Sequence, residues 1–419
     1  ANGKTTVFQP TVQATILANI LQPPGGSGTL VTNNQADTPP MQLQALVVYP
    51  LFLVLIMLPS LPLLKRLSLH KEEKLTVGIC LSILAFYLIS FAVYILGLPQ
   101  WIFHLLLALC LLVTTWRIRD VLEVLRDSNA RESLYLWLLM NLWILLLTTL
   151  IECFSGAAWT GDWIEHYERS RFFSDQLATT AFANLPSRPP LMNLISSPFF
   201  AIAGDRFAVL QLLYSQLNTL VVLPMLLLAR MLCPGARGLI VPFAVILACN
   251  PMFAQNTTYT WTKLLTVFFI LAALYFYLKS WRERQLLTLT FAWVSLTLAL
   301  LTHYSAGPFL LIFAGHYGLY LLWRRDQRWK ELAWSISVSF LLFMTWLGWS
   351  LWAYGTSMTF LSNSTVIAAS EYDSFENAAK ILKNVAYTVL PHFLSGVDIS
   401  SLDQASSTGY LRDYVFLLY

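Results

Sequence analysis

Residues able to do acid–base and phosphate chemistry concentrate in one stretch of the sequence, 154–206. There Asp162, Glu165, Glu168 and Asp175 alternate with His166, Arg169, Arg171 and Arg188, among the rings of Trp159, Trp163, Tyr167, Phe172 and Phe173. Moving a group off a phosphate needs few protein parts. A carboxylate takes a proton from the incoming hydroxyl or amine, and cations neutralise the departing phosphate. Spacings of three and four residues put Asp162, Glu165, His166 and Arg169 on one face of a helix, with Ile164, Tyr167 and Arg171 on a neighbouring face. The same spacing suits a solvated amphipathic segment closed by its own ion pairs, so spacing alone leaves both readings open.

Three further polar patches stand out, the first at the end of this stretch and two beyond it. In Ser187-Arg188-Pro189-Pro190-Leu191 two prolines remove two donors and fix an extended backbone, so Arg188 is presented in a preset direction. A guanidinium held in this way suits a bidentate phosphate contact, and it could equally pair with Asp162 or Glu165. The second patch, NPMFAQNTTYTWTK at 250–263, reads as a loop that ends on Lys263 at the mouth of a helix. The third is Leu301-Thr302-His303-Tyr304-Ser305. Asn256 and Asn363 stand in N-x-[ST] sequons, which signify glycosylation only where the source uses that pathway.

The elements that must position these residues are membrane helices. Of 419 residues 57% are apolar and 11% charged, against roughly 25% charged in an ordinary soluble domain. Ten uncharged windows, near 41–64, 75–97, 99–116, 134–153, 207–229, 238–254, 264–278, 285–302, 306–323 and 333–352, read as spans of an all-α polytopic membrane protein. One alternating set of connections carries seventeen lysines and arginines, including Lys65, Arg66, Arg119, Arg126, Arg230, Lys279 and Arg282. The other set, with both chain ends, carries nine over far more residues, so the first set is expected to be cytoplasmic. All four polar patches then share the outer side, which makes a common cavity there more plausible than any one patch does. Residues 1–40 read as an extended polar segment, and 353–419 as an outer-side segment whose last residues, YVFLLY, are apolar; the natural chain is expected to continue. A net charge of +4 with no polybasic tail gives a nucleic-acid partner no support. Cys80, Cys110, Cys153, Cys233 and Cys249 show no CxxC pairing and read as buried free thiols, and no His-rich or DxD pattern calls for a metal or other cofactor.

The order of features over 134–350 resembles a known family. A span is followed by a long outer loop with an Asp just after the membrane, then Arg-Pro-Pro-Leu at 188–191, then NP-x-x-x-Q-N from Asn250, and then Leu-Thr-His at 301–303. This resembles the polyprenyl-phosphate-sugar-dependent glycosyltransferases of the C-type membrane fold, which include the protein O-mannosyltransferases and the lipid A aminoarabinose transferase. The resemblance implies that 134–352 is the glycosyltransferase core, with 154–206 as its first outer loop, preceded by three extra spans within 41–133. It implies Asp162 as catalytic base in an inverting transfer, with Glu165, His166, Arg169, Arg171, Arg188, Lys263 and His303 binding substrate. The donor would be a polyprenyl-phosphate-linked sugar and the acceptor a lipid, glycan or protein, on the outer face of a bacterial inner membrane. Where relatives often carry an acid at the start of a later span, this chain has Thr262 and Lys263. Two other classes stay open: a non-catalytic membrane subunit on the same fold, associated with partner subunits, and a lipid or sugar transporter.

Overall fold

In lipid every backbone N–H and C=O must be paired within its own segment, which leaves the helix as the form for apolar windows of this length. The computed structural model describes residues 41–150, 162–177, 188–235, 238–324 and 329–355, and among them every regular element is a helix. Packing divides the chain after Gln44, and the unit from Ala45 onward holds the helical bundle. In order the helices are α1 (Met41–Leu64), α2 (Lys71–Ile95), α3 (Trp101–Trp116), α4 (Ile118–Leu125), α5 (Ser128–Leu150) and α6 (Asp162–Ser174). Next come the one-turn α7 (Leu191–Leu194), α8 (Ser197–Ala203), α9 (Phe207–Thr219), α10 (Val222–Leu232), α11 (Ile240–Ala248) and α12 (Pro251–Thr258). The last four are α13 (Lys263–Glu283), α14 (Leu286–Thr302), α15 (Gly307–Arg324) and α16 (Trp329–Tyr354).

Over their described residues the ten sequence windows fall on these helices, 207–229 on α9 and α10 and 238–254 on α11 and α12. Among the described residues seven helices are long and apolar enough to span a bilayer, with α9 and α10 counting as one. Two bent pairs, α3 with α4 at 73° and α11 with α12 at 77°, raise the number to nine if each pair is one span. α14 is apolar but only 17 residues long. The chain is thus an integral, multi-pass, all-helical membrane protein.

Two expectations are corrected by local chemistry. Residues 251–258 are not loop: Asn250 is extended, as the residue before a proline prefers, and its Oδ1 accepts from the Phe253 N–H at 2.8 Å, so it caps α12 with Pro251 at the first helical position. This buries Asn256, only 2% exposed, with its amide bonded to Met252 O, so its sequon is not presented for glycosylation; Asn363 lies outside the described residues. The charged stretch 71–74 is not loop either. α2 begins at Lys71, where the His70 N–H donates to Glu73 Oε2 at 2.8 Å, and Glu72, Glu73 and Lys74 are buried.

Those buried charges knit the helix ends opposite the polar patches. Glu73 accepts from Lys279 Nζ and from Tyr275 OH, both at 2.5 Å, while Glu72 meets Arg230 and accepts from Ser133 Oγ at 2.7 Å. Arg230 also reaches Glu132 at 2.7 Å, so α2, α5, α10 and α13 share one ionic knot. A cavity of about 570 Å³ opens beside it, lined by as many carboxylates as lysines and arginines, among them Lys71, Asp127, Arg282 and Glu283. Elsewhere the helices meet by close packing, which holds bundles together in lipid. α13 lies along α14, with Ala273 and Phe276 against Leu289, Trp293 and Leu296. Gly78 lets α2 approach α1, where Ser60 Oγ donates to Gly78 O at 2.7 Å. Of the cysteines, Cys80 is buried as expected, whereas Cys233 and Cys249 are exposed; Cys153 lies outside the described residues.

Candidate functional site

The four polar patches converge around α6. Asp162 is its first residue; its side-chain surroundings lie outside the described part of the structure, which for side chains begins at Glu165. From there the helical face read in the sequence is realised. Arg169, 3% exposed, pairs with Glu165 at 2.6 Å one turn back, and His166 lies on the same side.

Asn193 from α7 docks this face. Its Nδ2 donates to His166 O at 3.0 Å, Ser170 Oγ at 3.2 Å and Tyr214 OH at 3.0 Å, joining α6 to α9. The His166 ring meets that of Tyr214 edge to face at 5.9 Å. Burial, and then the charges of Arg169, Arg188 and His303, hold His166 well below the ordinary histidine range, so its ring is neutral at pH 7.

Arg188 enters from the backbone ahead of buried Pro189 and Pro190. Its guanidinium lies 5.6 Å from the centre of the Tyr304 ring, and its Nε is buried without a hydrogen-bond partner. Among the described residues no carboxylate lies within ion-pair distance of it. Tyr304 in turn stacks on His303, centroids 4.3 Å apart.

His303 ends α14 in extended backbone, and its Nδ1 accepts from the Ser305 N–H at 3.1 Å, capping the turn Tyr304–Ala306. A backbone N–H can only donate, so the proton of the neutral ring sits on Nε2, which is left as a donor. Burial first, then Arg188 and Lys263, push the His303 value down to about 4.

Lys263 completes the group as the first residue of α13, with Nζ 3.9 Å from the centre of the Trp261 ring. A cation at a helix N-terminus opposes the helix dipole, whereas an anion there is favoured. Asn218 of α9 sets the position: its Nδ2 donates to Trp261 O at 2.7 Å and its Oδ1 accepts from the Leu265 N–H at 2.9 Å.

The structure therefore brings Glu165, His166, Arg169, Arg188, Lys263 and His303 to one end of the bundle, and it sets Arg171 apart. Arg171 reaches Asp205 at 2.8 Å, has Glu168 and Asp175 at 3.7 Å and lies over Tyr167, so three carboxylates already answer its charge and fasten α6 to the turn before α9. Sequence reasoning missed Asn193, Tyr214, Asn218 and the place of Tyr304; only the last had a signal, its adjacency to His303.

Among the described residues, three cations and two neutral imidazoles gather with Glu165 at the end of a polytopic helical membrane protein, an arrangement able to accept an anion. Comparison of the chain with protein-family models, curated proteins and solved structures finds no match.

Proposed function

We propose that the chain is a membrane glycosyltransferase that moves a sugar from a polyprenyl-phosphate donor to an acceptor hydroxyl or amine. The observation that carries this reading is Arg188: a guanidinium with a buried, unpartnered Nε, resting on a ring, beside Lys263 and the Nε2–H of His303. Such a group is short of an anion, and phosphate meets a guanidinium through two oxygens. Tyr304 stands in the turn that leads into α15, a span with most of its surface exposed, so a lipid-borne phosphate reaches Arg188 from the bilayer side. In the reaction Asp162 takes the proton of the acceptor, the acceptor oxygen or nitrogen attacks the anomeric carbon, and the bond to phosphate breaks on the opposite face, inverting the centre. Arg188 and Lys263 neutralise the phosphate as it leaves, the neutral His303 donates to it from Nε2–H, and Arg169, bridged to Glu165, holds the α6 face.

A transporter reading draws on the buried Glu73–Lys279 pair, because ionisable groups within spans commonly mark ion paths. That pair is charge-balanced, sits at helix ends and joins neighbouring helices, as a brace does.

The test uses the full chain in vesicles with polyprenyl-phosphate hexoses and pentoses. Asp162→Asn should lower turnover by about 10²–10⁴ without changing the melting temperature. Polyprenyl phosphate alone should raise the melting temperature of the unaltered protein and of Asp162→Asn, but not of Arg188→Ala. Full transfer by a well-folded Asp162→Asn protein would sink the base assignment, and stabilisation that survives Arg188→Ala would sink the phosphate site.

A further inference from the structure

We infer that the elbow between α3 and α4 is a docking surface for anionic phospholipid headgroups. The inference rests on the chain being a membrane protein and is independent of the glycosyltransferase reading. α4 turns 73° away from α3, so an eight-residue helix lies across the direction of a span. At 100° per residue its circumference sorts cleanly. Asp120, Val121 and Val124 face inward, the two valines packing on Leu61 and Ala130. On the opposite side Ile118 and Leu122 stand together, followed around the helix by Arg126 and Arg119, and all four are exposed. Trp116, 78% exposed just before the bend, and Leu63, 75% exposed on the packed end of α1, add apolar surface.

Charge pairing separates the basic half of this surface from its surroundings. Lys65 and Arg117 are both held by Asp120 at 2.6 Å, and Lys71 is held by Glu123. By contrast, among the described residues no carboxylate lies within ion-pair distance of Arg66, Arg119 or Arg126. A helix across the span axis, with an apolar stripe beside unpaired guanidiniums, places the stripe among acyl chains and the guanidiniums at headgroup level. The fork of arginine fits a phosphodiester better than an ammonium does. The apolar half distinguishes a lipid from a soluble anion, since only the lipid fills both halves.

Lipid capture at Leu122 tests this. Photo-leucine in place of exposed Leu122 changes little in shape, and the full chain is placed in phosphatidylcholine vesicles containing a minor share of phosphatidylglycerol. Cross-linked phosphatidylglycerol should exceed its mole fraction severalfold. Arg119→Gln/Arg126→Gln should return it toward the mole fraction, on the scale of about fivefold per arginine near an anionic surface. Arg119→Lys/Arg126→Lys should keep most of the excess, and millimolar inorganic phosphate should leave it unchanged. Both arginines are exposed and unpaired, so an unchanged melting temperature is expected of the variants. Cross-linking in proportion to mole fraction in the arginine protein overturns the inference. So do an excess that survives the glutamine pair, competition by inorganic phosphate, and cross-links to protein in place of lipid.

Discussion

At His303 two kinds of neighbour decide the chemistry of one ring: the Ser305 N–H takes Nδ1, and burial with Arg188 and Lys263 keeps the ring neutral. The folded value of about 4 lies below that of an unfolded chain near 6.5, so between the two the unfolded chain binds a proton that the folded chain does not. Stability contributed by this ring is complete above pH 6.5 and is lost as pH falls toward 4. The slope is at most ~1.4 kcal/mol per pH unit and less in practice, because the ring is partly solvated. His166, depressed for the same reason, acts in the same direction. Thermal unfolding from pH 7 to pH 4 should show a falling melting temperature, and His303→Gln should flatten part of the fall; an unaltered profile in that variant contradicts the role given to the ring. Arg188, Lys263 and His303 were legible in the sequence because each stands at a helix mouth next to residues that fix the backbone. Asn193 and Tyr214 were not, since an amide and a phenol carry no functional mark until the packing of α6 on α7 and α9 is known. Arg171 shows the limit of spacing: it tells which residues share a face but not what packs against it, and three carboxylates answer this guanidinium.

Among the elements, α2 and α12 differ most from their sequence reading. The run Lys71-Glu72-Glu73-Lys74 looks like a solvated connection, and its capping signature is hidden because histidine is an unusual residue at that position. In the fold it is the first turn of α2, and Glu73 depends on Lys279 from another helix. Lys279→Met strands a buried carboxylate with only the Tyr275 hydroxyl and the His70 N–H to hold it, at a cost of about 3–5 kcal/mol. Glu73→Leu/Lys279→Met removes both charges and should recover all but about 1 kcal/mol, the remainder being the lost cap. Melting temperatures of the two variants and of Glu73→Leu close a double-mutant cycle. Additive losses would show that the two groups do not depend on each other. α12 was hidden differently: its polar residues mimic a loop, yet Asn250-Pro251 is a helix-start signal that the polar reading outweighed.

Across the whole molecule the helical class and the apolar windows were legible, because uncharged length is the strongest signal a sequence carries. The bends at Arg117 and at Asn250-Pro251 were not, since they leave hydropathy unchanged while turning the chain by 73° and 77°. α13 carries Lys263 at one end and Lys279 near the other. At 1.5 Å per residue the two ammonium-bearing positions stand about 24 Å apart, and the 17 residues of α14 beside it cover about 26 Å. A typical hydrocarbon core is about 30 Å thick. Neither lysine is placed to snorkel outward, because Lys279 is held by Glu73 and Lys263 lies on Trp261. Both helices are buried among their neighbours over most of their length, so the two lysines are separated by protein and not by acyl chains. A change of bilayer thickness therefore reaches the charged ends of α13 only through α15 and α16, the spans with most of their surface exposed.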